Sequence, residues 1–471
     1  MEVDVDFPQA LKPTALRNLI IASALLVGCG DDSPSAPDAD RPDVRRPPVT
    51  QPWEVETLVG DDIGVHLHMV VSAEGEPALA YFPTYSRRFG LCGEIGGMDI
   101  PEKTFWDLSY RTRSGGTWSD PEIVTSVLHA TPPPGLDLRV SPEGVPVIAT
   151  VTGEPWVRLR YCMANDVGLF LRGEEGWVEE VAVRTSGEAM TGMEASDYGE
   201  VIGHWPGLAI SSDDTYLVAY KDVHAGGIQQ DDFKRADLEA ALGSPSSWNA
   251  YPVDVGQGAG DFNRAAIDPD GNPYIIYFNP QEFVDESSRG IFVARSLDSG
   301  MTWQRVRLAN ISTLDGPDIH IDADGIVRTA FYNADEGHLM VATLRDPMLF
   351  ESLTDGWSVE VIGDGAYDEG QNPNIVVSAT GTVAVSYYRC GLATRSSATC
   401  EARDDAVIFG YQEGTAWNLE IIEEGEPSAA CGTYPTLQFG PDGNAWVAYQ
   451  CQTLREGSLV DRVHFATRRP L

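Results

Sequence analysis

From residue 53 onward the chain is written in short runs of alternating apolar and polar residues, broken every few positions by Gly, Pro, Asp or Asn. Alternation at period two is the mark of a half-buried strand. Seven runs share one form, a strand, a tight turn and a second strand ending in an aromatic or apolar residue. They are HLHMVVSAEGEPALAYF from His66, LDLRVSPEGVPVIATV from Leu136, LAISSDDTYLVAY from Leu208, NRAAIDPDGNPYIIYF from Asn263, DIHIDADGIVRTAFY from Asp318, NIVVSATGTVAVSYY from Asn374 and TLQFGPDGNAWVAY from Thr436. Their Pro-Asp-Gly and Ala-Asp-Gly centres suit hairpins, because Asp bonds its own backbone and Gly accepts positive φ.

A second series places a Trp at the start of a strand: PWEVETL at Trp53, GTWSDPEIV at Trp118, GWVEEVAV at Trp177, SWNAYPVDV at Trp248, TWQRVRL at Trp303, GWSVEVI at Trp357 and AWNLEII at Trp417. The spacing, roughly 54 to 71 residues, is that of a repeated four-stranded unit. Third strands lie between each hairpin and its Trp strand: LSYRTR, GLFLRG, DLEAAL, IFVARS, HLMVAT and AVIFGY, with VHFATR from Val463 as the last. DLEAAL looks helical alone, but its place before Trp248 reads as a short strand. The final hairpin and VHFATR have no Trp strand after them, whereas Trp53 has no hairpin before it. An N-terminal strand that completes the last blade resolves both ends. The expected fold is all-β, a seven-bladed β-propeller of four-stranded antiparallel blades over residues 51–471, with six blades as the main alternative.

Composition fits this reading: 47 Gly, 31 Pro, 17 Tyr and 11 Trp in 471 residues favour many strands and turns. The formal charge of −39 excludes nucleic acid and a broad anionic-lipid surface as partners. Some of the acids could hold calcium, although no EF-hand or nonapeptide calcium repeat appears, and no cofactor is expected.

The N-terminal region is of another kind. Leu19 to Gly28, LIIASALLVG, has the length of a signal-peptide core and follows Lys12 and Arg17, although the start MEVDVD is acidic. It runs into Leu26-Val27-Gly28-Cys29, which resembles the bacterial lipobox; the resemblance implies cleavage before Cys29 and lipidation on it. Residues 1–28 are then a lipoprotein signal peptide. Residues 29–50, rich in Pro, Asp and Ser, form a disordered tether. The folded part is thereby expected in the bacterial cell envelope, touching the membrane through the lipid anchor alone, as a monomer.

The stretch SLDSGMTW resembles the Asp-box of sialidase-type propellers, matched at Ser296, Asp298, Gly300, Thr302 and Trp303, with eroded copies before Trp118 and Trp417. The box implies a structural turn and does not mark an active site. The Arg-Ile-Pro signature of sialidases is absent, and seven blades exceed the sialidase six. Seven-bladed polysaccharide lyases, similar in architecture, use His or Tyr as base beside a neutralising Arg.

In a propeller the inner strands start and the second strands end at one face, and the long connections 82–105, 153–167, 184–204 and 389–405 lie there too. Residues expected near that mouth are His66, His68, Arg139, His204, Lys221, His224, Arg264, Asp318, His320, Asn374, Tyr388 and Arg389. His66 and His68 alternate along one strand and share a face, as a metal pair, a base with its neighbour, or packed side chains. Besides Cys29, the six cysteines permit disulfides: Cys431 with Cys451 across a hairpin, Cys390 with Cys400 locally, and Cys92 with Cys162 between blades. Zinc is the rival reading, although no CxxC pair exists. The function expected is binding of glycan or protein ligands at the mouth, the alternative being a carbohydrate-active lyase or glycosidase.

Overall fold

A computed structural model describes residues 52–470 apart from 59–64, 83–86, 91–93, 96–97, 100–102, 129–134, 154–165, 185–201, 223–236, 256–257, 281–288, 314, 364–365, 393–403, 427–428 and 456–457. Seven antiparallel sheets follow one another. Blade 1 comprises Val65–Val71, Pro77–Phe82, Lys103–Ser114 and Glu122–Leu128, and blade 2 Asp137–Val140, Pro146–Thr152, Asp166–Gly173 and Gly176–Val183. Blade 3 is His204–Ile210, Tyr216–Asp222, Asp237–Ser244 and Ser247–Asp254; blade 4 is Asp261–Ile267, Pro273–Asn279, Gly290–Arg295 and Gln304–Ala309. Blade 5 holds Asp318–Ile321, Val327–Asn333, His338–Leu344 and Trp357–Ile362, and blade 6 Tyr367–Val377, Val383–Leu392, Asp405–Glu413 and Ala416–Glu424. Blade 7 takes Ala429–Phe439, Ala445–Arg455 and Ser458–Arg468 from the C-terminal end and Trp53–Thr57 from the N-terminal side. The fold is therefore all-β with seven blades, not six.

The closing strand pairs Trp53 with Arg468, Val55 with Ala466 and Thr57 with His464, so the sheet edge left by the last hairpin is covered. Inner strands contact their neighbours in sequence around the circle, and the inner strand of blade 7 meets that of blade 1. Apolar clusters fill the seams between blades; one joins Tyr274, Ile276 and Val293 of blade 4 to Val327, Phe331 and Trp357 of blade 5. Burying such side chains stabilises each seam by about 1.5–3 kcal/mol per residue.

Blade 1 departs from the pattern. GTWSDPEIV is not one outer strand: Thr117–Trp118 pairs with the end of the third strand, and the main outer strand begins at Glu122 after a break. Its third strand is also long enough to pair with an additional short strand, Arg87–Gly90.

In the turn at Ser296–Trp303, Asp298 Oδ1 accepts from the Thr302 amide at 2.8 Å and the Ser296 hydroxyl at 2.8 Å, and Oδ2 accepts from the Thr302 hydroxyl at 2.6 Å. Gly300 has φ +90, and a Cβ there would meet the Tyr251 ring at 2.8 Å, so both conformation and space call for glycine. Trp303 closes the turn by donating to the Gly300 carbonyl at 3.0 Å.

Candidate functional site

Five of the seven inner strands enter the sheet through the same irregularity. His66, Trp205, Phe262, Asn372 and Tyr434 have left-handed φ of 51, 46, 52, 48 and 49. Pairing slips at the same place in all five blades, between Val65 and His68, His204 and Gly207, Asp261 and Arg264, Gln371 and Asn374, and Thr433 and Thr436. In blade 2 a glycine, Gly135 with φ +91, takes this place. A non-glycine residue held there costs on the order of 1–3 kcal/mol, and such strain collects at functional sites. At these bulges five half-buried side chains stand at the start of the inner strands, at the end of the propeller where those strands begin. Trp205 and Phe262 meet with ring centroids 5.0 Å apart, and His66 and Tyr434 at 5.7 Å. The two pairs sit on blades 3–4 and 7–1. Asn372 bridges to an acidic corner formed by Asp315, Asp368 and Asp405, donating to Asp315 Oδ1 at 2.9 Å.

Two residues further along, the strands place His68, Asp137, Gly207, Arg264, Asp318, Asn374 and Thr436 in one layer. Four of these accept from a backbone amide of the next blade: Asp137 from Leu208 at 2.8 Å, Asp318 from Ile375 at 2.9 Å, Asn374 from Leu437 at 3.0 Å and Thr436 from Met69 at 3.2 Å. At Gly207 a Cβ would lie 2.8 Å from the backbone of Arg264 and Ala265, so blade 4 approaches where a side chain is missing.

Across this layer His68 joins opposite blades. Its Nδ1 lies 3.1 Å from Asp137 Oδ1, and Arg264 Nη2 of blade 4 stands 3.0 Å from its Nε2. Arginine can only donate, so Nε2 is the acceptor and the proton sits on Nδ1, toward Asp137. Arg139 Nη2 makes an ion pair with the other oxygen of Asp137 at 3.2 Å, while its Nε donates to the Leu208 carbonyl at 2.8 Å. Burial, then the Arg264 charge, lowers His66 to about 3 and His68 to about 4, so both are neutral near pH 7. Burial opposes ionisation of Asp137, but Arg139, His68 and Arg264 together hold its carboxyl below the usual range. Burial raises Asp318, and lowers His320 to about 4 with the help of Arg328.

The expected sharing of a face by His66 and His68 is modified by the bulge: His66 turns to Tyr434, and His68 to Asp137 and Arg264. His66, His68, Arg139, Arg264, Asp318 and His320 lie close enough together for the two arginines to act on the others, and Asn374 belongs to the same layer. Lys221 lies beside the Trp205–Phe262 pair, 5.4 Å over the Trp205 ring, with its charge taken up by a buried ion pair with Asp261. His204 is buried with its ring centroid 5.9 Å from that of Trp205. Arg389 is buried, bonded to Glu424 at 3.4 Å and stacked 4.2 Å over Tyr367. Tyr388 lies in the acidic corner, where burial and then Asp405 raise its hydroxyl well above its ordinary value. Asp315 and Asp405 are each pushed up to about 6 by burial.

Cys431 and Cys451 are joined by a disulfide directly across their hairpin, and Cys390 is also disulfide-bonded. Cys29, Cys92, Cys162, Cys400 and His224 lie outside the described residues. Among the described residues one group has metal-ligand chemistry, Glu423, Cys431, Cys451 and His464, whose ligand atoms lie within 4.8 Å of one another.

Sequence reasoning missed Asp137, Trp205, Phe262, Asn372 and Tyr434. One signal was present: Pro206, Pro373 and Pro435 follow three of the rim residues directly. Proline lacks the N–H that a bulge leaves without a ladder partner.

No protein-family model matches the chain, and no curated protein does. Among solved structures it is similar to a Dyadobacter fermentans protein of unknown function, at 11% identity over 88% of this chain and 99% of that one, TM-score 0.40. It is also similar to the polysaccharide lyase Uly1, at 10% identity over 85% and 89%, TM-score 0.42. A third is the NanB sialidase of Streptococcus pneumoniae, at 12% identity over 90% and 71%, TM-score 0.43.

Proposed function

We propose that the channel mouth binds a carbohydrate chain, with preference for one carrying a carboxylate. The observation that carries this reading is the repeated left-handed bulge, which spends conformational energy five times to hold His66, Trp205, Phe262, Asn372 and Tyr434 at one rim. Flat aromatic faces suit the apolar faces of sugar rings, and a few polar groups among aromatics are the usual composition of a ligand pocket. Arg264 and Arg139 supply positive charge beneath the rim of a chain whose formal charge is −39. Binding is favoured over catalysis because the groups below the rim are occupied. Both nitrogens of His68 have partners, Arg139 is held by Asp137, and a histidine lowered to about 3 is a weak base at neutral pH.

The second reading is a lyase, favoured by the approach of His66 to Tyr434 with the Arg264 charge acting on His66. A panel of neutral and uronate-bearing oligosaccharides, screened for retention and for unsaturated products, separates the two. Retention without product supports binding, while turnover lost in His66→Ala moves the assignment to the enzyme.

The leader and tether lead us to propose that the propeller is lipid-anchored through Cys29 in a bacterial envelope. Metabolic labelling with a fatty acid that disappears in Cys29→Ala tests this.

A further inference from the structure

The closing blade carries a cluster that glycan binding does not use. Cys431 lies on its inner strand, Cys451 on the second and His464 on the third, while Glu423 is the last residue but one of the outer strand of blade 6. His464 Nδ1 is 2.7 Å from Glu423 Oε2 and 3.4 Å from Cys451 Sγ. We propose that these four residues form a zinc-class metal site that replaces the Cys431–Cys451 disulfide when that bond is reduced.

The donor set is the first reason. Two thiolates, an imidazole and a carboxylate are the ligand types of a closed tetrahedral zinc site. Bond lengths of about 2.0–2.3 Å place tetrahedral ligand atoms roughly 3.3–3.8 Å apart. The four ligand atoms already lie within 4.8 Å of one another, so small side-chain rotations complete the geometry. Both cysteines are buried, which keeps water from competing, and the Tyr449 hydroxyl donates to Glu423 at 2.5 Å, holding the carboxylate from outside. CxxC spacing is absent because neighbouring strands, rather than neighbouring residues, bring the ligands together.

Position is the second reason. Blade 7 alone is assembled from distant parts of the chain, through the pairing of Trp53–Thr57 with the last strand. The disulfide fastens two of its strands. A metal would fasten three, and would tie blade 7 to blade 6 through Glu423.

The exchange balances. A dithiol reductant gives two electrons and two protons to the disulfide, leaving two cysteine thiols and its own disulfide. The cation then displaces one proton from each thiol, and the His464 proton moves from Nδ1 to Nε2, freeing the Nδ1 lone pair.

The test uses the full chain, reduced with dithiothreitol under anaerobic conditions, freed of reductant and titrated with Co²⁺. We expect a saturating thiolate-to-cobalt charge-transfer band with tetrahedral ligand-field bands, bleached by Zn²⁺ and absent from the oxidised protein. His464→Asn and Glu423→Gln, which leave the cysteines in place, should each weaken cobalt binding about tenfold or more. A reduced protein whose cobalt stays octahedral overturns the proposal. So does tetrahedral binding that Cys451→Ser and His464→Asn leave unchanged, since other thiols would then hold the metal.

Discussion

Trp53 Nε1 donates to Glu420 Oε2 at 3.0 Å, linking the closing strand to the outer strand of blade 6. The same bond recurs around the propeller: Trp118 reaches Glu56 at 3.1 Å, Trp248 reaches Glu180 at 3.0 Å and Trp417 reaches Glu360 at 3.0 Å. In each case the acceptor lies three residues after the Trp of the preceding blade. Where that position is not glutamate, the bond changes: Trp303 turns to the Gly300 carbonyl and Trp357 to the Phe350 carbonyl. The Trp177 indole nitrogen has no partner among the described residues. Trp-x-x-Glu is thus a register mark written along the outer strands.

Glu420 also takes a two-pronged bond from Arg468, at 2.7 Å to each oxygen. Glu420→Ala leaves both the Trp53 indole and the Arg468 guanidinium without their acceptor, and should cost about 2 kcal/mol of stability. Denaturant unfolding monitored by tryptophan fluorescence measures this, with Glu54→Ala, whose arginine contact is exposed, as a near-neutral control.

The channel histidines define an acid limb of stability. Their folded values, about 3 for His66 and about 4 for His68, lie below the ordinary 6.5, so the folded form resists protonation that the unfolded chain accepts. Stability should therefore be whole above pH 6.5 and fall as pH drops toward those folded values. Ring resonances of His66 and His68 should not titrate between about pH 5 and 8. A midpoint near 6.5 for His68 would remove the neutral His68–Arg264 bond.

Asp315 acts with the opposite sign. Burial raises its carboxyl to about 6, so the folded state holds a proton that the unfolded chain, at 3.8, has released. Its penalty is complete above pH 6 and relieved as pH falls toward 3.8. Asp315→Asn keeps an oxygen for the Asn372 amide and should stabilise the protein at pH 7 by on the order of 2 kcal/mol. That gain should vanish near pH 4 in melting curves recorded across the range.

The turn at Asp298 is bonded within itself, with Asp298 half-buried. Asp298→Asn should leave oligosaccharide binding at the mouth unchanged. Its thermal midpoint should lose the dependence on pH that comes from a carboxyl held low by its bonds to Thr302 and Ser296. A change in ligand affinity would show that the turn reaches the mouth.

The fold was legible because propeller blades are local: strand, turn and Trp recur within each unit, and alternation and turn chemistry report them directly. Closure was legible because Trp53 and VHFATR were complementary remainders. The site was only half legible. His66, His68, Arg139 and Arg264 stood out as chemistry, yet no sequence rule says that His68 meets Arg264, 196 residues away on the opposite blade. The rim residues were hidden for another reason. Trp, Phe and Tyr in an alternating run read as core, and only a left-handed backbone, which their side chains disfavour, takes them out of that alternation. The prolines after Trp205, Asn372 and Tyr434 carried that information in plain view. GTWSDPEIV misled because a continuous pattern concealed the break before Glu122.

The most direct measurement is the affinity of the full chain, by titration calorimetry, for a uronate oligosaccharide retained in the screen, compared with that of Trp205→Ala, Phe262→Ala and Tyr434→Ala. Each substitution should weaken binding about tenfold or more while the protein stays folded by circular dichroism. Affinity unchanged in all three variants, or no uronate oligosaccharide retained at all, would contradict the assignment of the rim as the binding site.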